Sequence, residues 1–155
     1  MDLVDIPENP VPSGVVSGMI EASDGVQVRY ARWRPTARKS AGTVCVFTGR
    51  SEFIEKYFEV VSDLRRRGFT VAVLDWRGQG GSERALRNRR KGHVDAFEQF
   101  DRDLAAFMEQ VVVPDCPPPF FALGHSMGGN ILLRNAVRAP SWFDRQVLSA
   151  PMLQL

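Results

Sequence analysis

Cysteine and histidine are scarce in this sequence, with two of each in 155 residues. Two cysteines make neither a disulfide framework nor a metal-ligand cluster. Cys45 lies in the apolar run Val44-Cys45-Val46-Phe47 and reads as a small buried thiol, whereas Cys116, in a proline-rich loop, reads as exposed. An excess of one charge is lacking too: 20 Lys and Arg stand against 18 Asp and Glu, a net charge of +2. That balance gives no argument for nucleic acid as a partner. No apolar run reaches the roughly 18 residues that a membrane-spanning helix needs. Met1 to Pro12 is acidic and proline-rich, without the basic and apolar regions of a secretory signal, so the expected compartment is the cytoplasm. Internal repeats and low-complexity segments are absent as well.

What is present is an ordinary globular composition, 44% hydrophobic and 25% charged, arranged in a regular order. Residues 1–14, with Pro7, Pro10 and Pro12, read as an extended arm. Gly18 to Ala22 and Val26 to Arg34 flank Asp24-Gly25, a hairpin signal. Thr43 to Thr48 is apolar without alternation, as a strand buried on both faces would be. From Phe53 to Arg67 the apolar residues recur every three or four positions, which predicts a helix ended by Gly68. Thr70 to Leu74 predicts a second buried strand, Val94 to Val111 a second amphipathic helix, and Phe120 to Leu123 a third strand. Gly128 to Arg138 predicts a helix stopped near Pro140, and Phe143 to Ser149 a fourth buried strand. A hairpin followed by alternating strands and helices means an α/β domain over residues 15–155, with a mostly parallel sheet covered on both faces.

Gly124-His125-Ser126-Met127-Gly128 fits G-x-S-x-G, and Gly129 extends it. Five residues alone are a weak signal. Here an apolar strand ends at Leu123 and a helix begins near Gly128, the context a nucleophile elbow requires. Ser126 must then sit on a strained turn. Glycine at 124 and 128 removes side chains that would collide with the neighbouring strand and helix. The start of the helix points backbone amides and a positive dipole end at the reacting centre.

The hexapeptide Gly124-His125-Ser126-Met127-Gly128-Gly129 resembles the elbow of the monoacylglycerol lipase and lysophospholipase branch of the α/β-hydrolases, a group classed with serine aminopeptidases. Phe53-Ile54-Glu55-Lys56-Tyr57 after Thr48-Gly49-Arg50 resembles bacterial lysophospholipase-like members, as does Leu74-Asp75-Trp76-Arg77-Gly78-Gln79-Gly80-Gly81-Ser82. The resemblance extends from about Pro10 to the end. It implies the α/β-hydrolase fold, amino-terminal half only, in which an antiparallel hairpin leads into a mostly parallel sheet. It also implies Ser126 as nucleophile of a carboxylic ester hydrolase, with the backbone N–H groups of Met127 and Arg50 as oxyanion donors. Many relatives carry His-Gly where this chain has Thr48-Gly49, so an imidazole that braces that loop is missing. No cofactor and no metal is implied.

A serine hydrolase needs a base for the hydroxyl proton and a carboxylate to orient that base, in the chain order Ser, then acid, then His. After Ser126 there is one acid, Asp144, at the start of a strand on the wrong side of the sheet, and no histidine. His125 reads as a packed residue of the elbow, and His93 as a helix start near the active-site face. Asp75, at a strand end, reads as a brace for the loop at Gly78. The resemblance therefore implies that the triad acid, the triad histidine and a substrate-selecting cap lie beyond Leu155, and that this chain alone is nearly inert. A different class of reading stays open, a non-catalytic remnant or one half of a split hydrolase.

The expected partner is a small-molecule ester, a lysophospholipid or a monoacylglycerol by resemblance. The basic stretch Arg84 to Lys91 could hold an anionic head group, touch a membrane surface peripherally, or be a solvated loop. The strand Phe143 to Ser149 is expected to present an open sheet edge through which copies self-associate.

Overall fold

The computed structural model describes residues 3–138 and 141–153. Pro140, the expected helix stop, lies outside the described residues. The hairpin forms as its turn signal predicts: β1 (Val15–Glu21) pairs antiparallel with β2 (Gln27–Trp33), with Val15 opposite Trp33 and Glu21 opposite Gln27. The apolar runs become β3 (Thr43–Phe47), β4 (Thr70–Leu74) and β5 (Phe120–His125), and β6 (Arg145–Ser149) completes a six-stranded sheet in the order β1-β2-β4-β3-β5-β6. β2 meets β4 antiparallel, and the remaining contacts, β4–β3, β3–β5 and β5–β6, are parallel.

Every residue of β3 and β4 is buried, because the crossovers put helices on both faces. Alternation sorts their side chains into two cores. Val44 and Val46 of β3 join Val71 and Val73 of β4 beneath Ile54, Phe58 and Val61. Cys45 and Phe47 join Ala72 and Leu74 beneath Phe100, Leu104, Phe107 and Ile131. Phe47 anchors the second core, with ring centroids 5.7 Å from Trp76 and 5.6 Å from Phe143. Cys116 belongs to it too, buried rather than exposed as its proline-rich neighbourhood suggested.

The helix predicted over 53–67 begins as a 3₁₀ turn, Ile54–Tyr57, and continues as α1 (Phe58–Arg66). The helix predicted over 94–111 is displaced. It starts as α2 (Gln99–Phe107), runs through a π-helical turn at Met108–Val112 and ends in α3 (Val113–Asp115). Val94 and Phe97 still pack on the core, but from an irregular segment, with the Phe97 ring 5.2 Å from that of Phe100 and under the guanidinium of Arg134. Their apolar spacing came from that packing and not from helical periodicity. α4 spans Met127–Arg138.

Two further differences concern the chain's ends. The proline-rich arm is not free: it turns at Ile6 and Asn9, and Val4 N–H and the Asn9 amide both donate to Glu55. β6, expected to be buried, alternates outward and inward, with Val147 62% exposed and Leu148 packed on the core. No described helix is long and apolar enough to cross a membrane.

Candidate active site

Ser126 stands where β5 ends and α4 begins, with φ of 50°, one of three non-glycine residues with positive φ among the described residues. A side chain there rarely adopts this conformation, and the surroundings over-determine it. Its N–H donates to the Ser149 carbonyl at 3.1 Å, and its own carbonyl accepts from Asn130 and Met152 N–H at 3.2 and 3.0 Å. The Asn130 amide also donates to the Met152 carbonyl, so the segment after β6 straps the turn. A Cβ at Gly128 would run into the Phe47 carbonyl, and one at Gly124 would stand 2.6 Å from a Leu132 methyl and 2.9 Å from Gly129 Cα. Glycine at these two positions is what lets β5, β3 and α4 converge on the serine.

The loop after β3 is fastened from three sides. The Trp76 indole donates to the Thr48 carbonyl at 2.9 Å. The buried Gln79 amide donates to the carbonyls of Gly49 and Glu52 and accepts from Ser51 N–H. The Glu52 carboxylate accepts from Gly49 N–H at 2.6 Å, from the Tyr57 hydroxyl at 2.6 Å and from Lys56, and lies 3.0 Å from His125 Nδ1. Burial pushes the Glu52 carboxyl up, but the bonds from Tyr57, His125, Gly49 and Lys56 outweigh it and hold it at about 2. The same burial, with the Glu52 charge, raises the Tyr57 phenol.

Backbone donors can be accounted for one by one in this loop. The N–H groups of Gly49, Ser51 and Glu52 all have acceptors, whereas Arg50 N–H has none among the described residues. Met127 N–H, in the first turn of α4, is likewise without an acceptor among them. Arg50 is exposed, and an N–H in the first turn of a helix has no intrahelical partner. Both residues line one open cavity of about 1500 Å³, so both amides stand available to a ligand. Ser126 is not itself in that lining, but its neighbour Met127 is.

Beneath the cavity lies a buried charge cluster. Arg29, on β2, donates to Asp75 at 2.7 Å and to both oxygens of Glu55 at 2.9 and 2.8 Å. Asp75 also accepts from Ile54 N–H and Gly81 N–H, so it ties the turn before α1 and the glycine loop to the sheet. The brace reaches Gly81 rather than Gly78. Burial raises the Asp75 carboxyl despite Arg29 beside it. Arg77 makes a second such knot with Asp103 and Asp24.

The histidines are engaged elsewhere. His125 Nδ1 faces Glu52, so it braces the loop after β3 instead of packing passively. This is the support that the sequence lacked at Thr48, whose buried hydroxyl has no partner among the described residues. His93 lines the cavity and bonds to Asp95. Asp144 accepts from Phe120 N–H at the opposite end of β5 from Ser126. Among the described residues no side chain hydrogen-bonds to the Ser126 hydroxyl. Sequence reasoning missed Glu52 and Gln79, which sit in polar, glycine-containing loops where nothing local marks one side chain as a brace.

A mixed sheet entered through a hairpin, helices on both faces and a strained serine between a parallel strand and a helix define an α/β-hydrolase fold. Solved structures agree: an esterase from Exiguobacterium antarcticum superposes with a TM-score of 0.72 at 19% identity, over 89% of this chain and 46% of that one. The family profile of the serine aminopeptidases, S33, matches residues 38–155, and the chain belongs to that family. Among curated proteins it is 40% identical over 129 residues to lysophospholipase L2 of Escherichia coli strain K12, covering 83% of this chain and 37% of that protein. It is 31% identical over 147 residues to the monoglyceride lipase of Rattus norvegicus, covering 95% and 46% respectively. The chain thus spans less than half the length of these relatives.

Proposed function

We propose that this chain carries the nucleophile and oxyanion hole of a carboxylic ester hydrolase acting on monoacyl lipids, a lysophospholipid or a monoacylglycerol. The observation that carries the reading is the pairing of Ser126, at φ 50°, with the two unoccupied N–H donors of Met127 and Arg50. In this mechanism the Ser126 oxygen attacks the ester carbonyl, and the resulting oxyanion is held by those two N–H groups. Collapse expels the alcohol with a proton and leaves an acyl-serine, which water then hydrolyses. Each oxyanion donor is worth about 10²–10³ in rate. The names of the relatives, lysophospholipase and monoglyceride lipase, support the substrate class.

The base that takes the serine proton is proposed to come from outside these 155 residues, because among the described residues neither histidine hydrogen-bonds to the Ser126 hydroxyl: His93 meets Asp95 and His125 turns its Nδ1 to Glu52. The isolated chain is then slow, since a serine hydrolase without a triad member retains only about a 10³–10⁴-fold rate enhancement over water. The free Ser126 hydroxyl equally favours a second reading, a non-catalytic remnant or one half of a split hydrolase completed by another chain. Hydrolysis of a medium-chain monoacyl ester by the protein and by Ser126→Ala tests the proposal. Turnover that disappears in the variant supports it; equal rates in both overturn the role of Ser126.

A further inference from the structure

Eight basic residues line the cavity beside Ser126, and they divide sharply. Arg29, Lys56 and Arg77 are paired with carboxylates. Arg50, Arg84, Arg89, Arg90 and Lys91 make no ion pair among the described residues, and four of them belong to one loop. Among the described residues the lining contains one acid, Glu55, whose carboxylate is already taken by Arg29 and Val4 N–H. The cavity therefore presents uncompensated positive charge. The same lining includes the apolar side chains of Phe53, Val94, Phe97 and Phe100.

Arg84 distinguishes this rim from an ordinary solvated loop. Its terminal nitrogens are anchored on the carbonyls of Gly78 and Gly80, and its Nε is buried without a partner among the described residues. Burial and the like charge of Arg89 together lower its tendency to stay protonated. A guanidinium fixed by backbone carbonyls and crowded by another cation is held at a cost that a bound anion would offset.

We propose that Arg84, Arg89, Arg90 and Lys91 form a subsite for the phosphate of an anionic monoacyl phospholipid, whose acyl chain lies along the Phe53–Phe97–Phe100 wall. The inference rests on the reading of this face as a lipid-ester site and narrows it, since a neutral monoacylglycerol has only hydroxyls to place on the rim. Several unpaired guanidinium and ammonium donors suit a phosphate better than a hydroxyl, because charge-assisted bonds are about twice as strong as neutral ones.

Calorimetric titration of the Ser126→Ala protein tests it without depending on turnover. The probes are dodecyl phosphate below its micellar concentration, 1-O-dodecylglycerol as the neutral match, and inorganic phosphate. Dodecyl phosphate is expected to bind at least ~10-fold more tightly than the neutral ether, an advantage that salt reduces. Arg89→Gln with Arg90→Gln should remove that advantage, whereas Arg87→Gln, the same loop but outside the lining, should keep it. Equal affinity for the two amphiphiles, or an equal loss in the Arg87→Gln control, overturns the subsite. Inorganic phosphate binding as tightly as dodecyl phosphate overturns the lipid as its ligand. Ester turnover unaffected by Ser126→Ala would sink the catalytic reading instead, and leaves this binding result standing on its own measurement.

Discussion

The Glu52 carboxylate and His125 Nδ1 lie 3.0 Å apart, which joins the loop that carries Arg50 to the strand that delivers Ser126. One hydrogen-bonded contact thereby ties together the two halves of the proposed oxyanion hole. The Glu52 carboxyl is held at about 2 against an ordinary 4.5. A carboxyl depressed in the folded state binds fewer protons there than in the unfolded chain. Its stabilisation is therefore full above about pH 4.5 and is lost as pH falls toward 2. Glu52→Gln should lower stability by roughly 1–2 kcal/mol at pH 7, allowing for solvent screening of a partly exposed cluster. Thermal melts of both proteins from pH 7 to pH 2.5 should converge; a gap independent of pH would show that the charge is irrelevant.

Gln79 holds the same loop through neutral bonds. Gln79→Leu leaves the Glu52 carbonyl and the Ser51 N–H without partners and the Gly49 carbonyl with only the bond from Glu52 N–H at 3.4 Å, a cost on the order of 1–3 kcal/mol for each unpaired group that water cannot reach. Faster hydrogen exchange at the Ser51 amide, with β4 unchanged, is the expected local signature. Unaltered exchange at Ser51 would mean that the loop is held otherwise.

Gly128→Val should be among the most damaging single changes. Its side chain meets the Phe47 carbonyl, a backbone atom that cannot rotate away. Overpacking of this kind costs about 1–3 kcal/mol, and more where backbone must shift. Denaturant midpoints measure it, and a variant as stable as wild type would contradict the close approach of β3 and α4.

Arg77→Met strands Asp103, which is fully buried, beside Asp24, which keeps Arg102. Removing one partner of such a pair costs about 3–5 kcal/mol. The double change Arg77→Met with Asp103→Leu should restore much of that stability, because the uncompensated charge is gone. If the double variant is no better than the single one, packing and not charge is the reason for the loss.

β6 bonds to β5 on one side only among the described residues, and Val147 faces out beside that open edge. Unprotected edges with apolar side chains invite pairing with other chains. Light scattering at tens of micromolar should reveal self-association that Val147→Lys reduces; a stable monomer with a cooperative melt would refute it.

Some of this was legible before any coordinates. β4 falls on Thr70–Leu74 as the unbroken apolar run dictates, and the hairpin turns at Asp24-Gly25 because that dipeptide favours the turn. Both signals are local, written in residues that act on their own backbone. α2 was misplaced by five residues because Val94 and Phe97 pack on the core from an irregular segment, and Arg134, whose guanidinium lies over Phe97, is far away along the chain. β6 looked buried because Val147 and Leu148 are both apolar, yet they point to opposite faces.

The sequence by itself determined the strand–turn–helix around Ser126, since glycines at 124 and 128 are the residues such a turn needs. It also nominated Met127, whose amide follows the serine directly. Only the tertiary structure decided that Arg50 N–H is left free, that Glu52 and His125 meet across 73 positions, and that four cations of one loop surround the same cavity. The physical reason is reach. A turn answers to neighbours in sequence, whereas a free donor or an uncompensated charge is defined by every group around it, and those arrive only when the sheet closes.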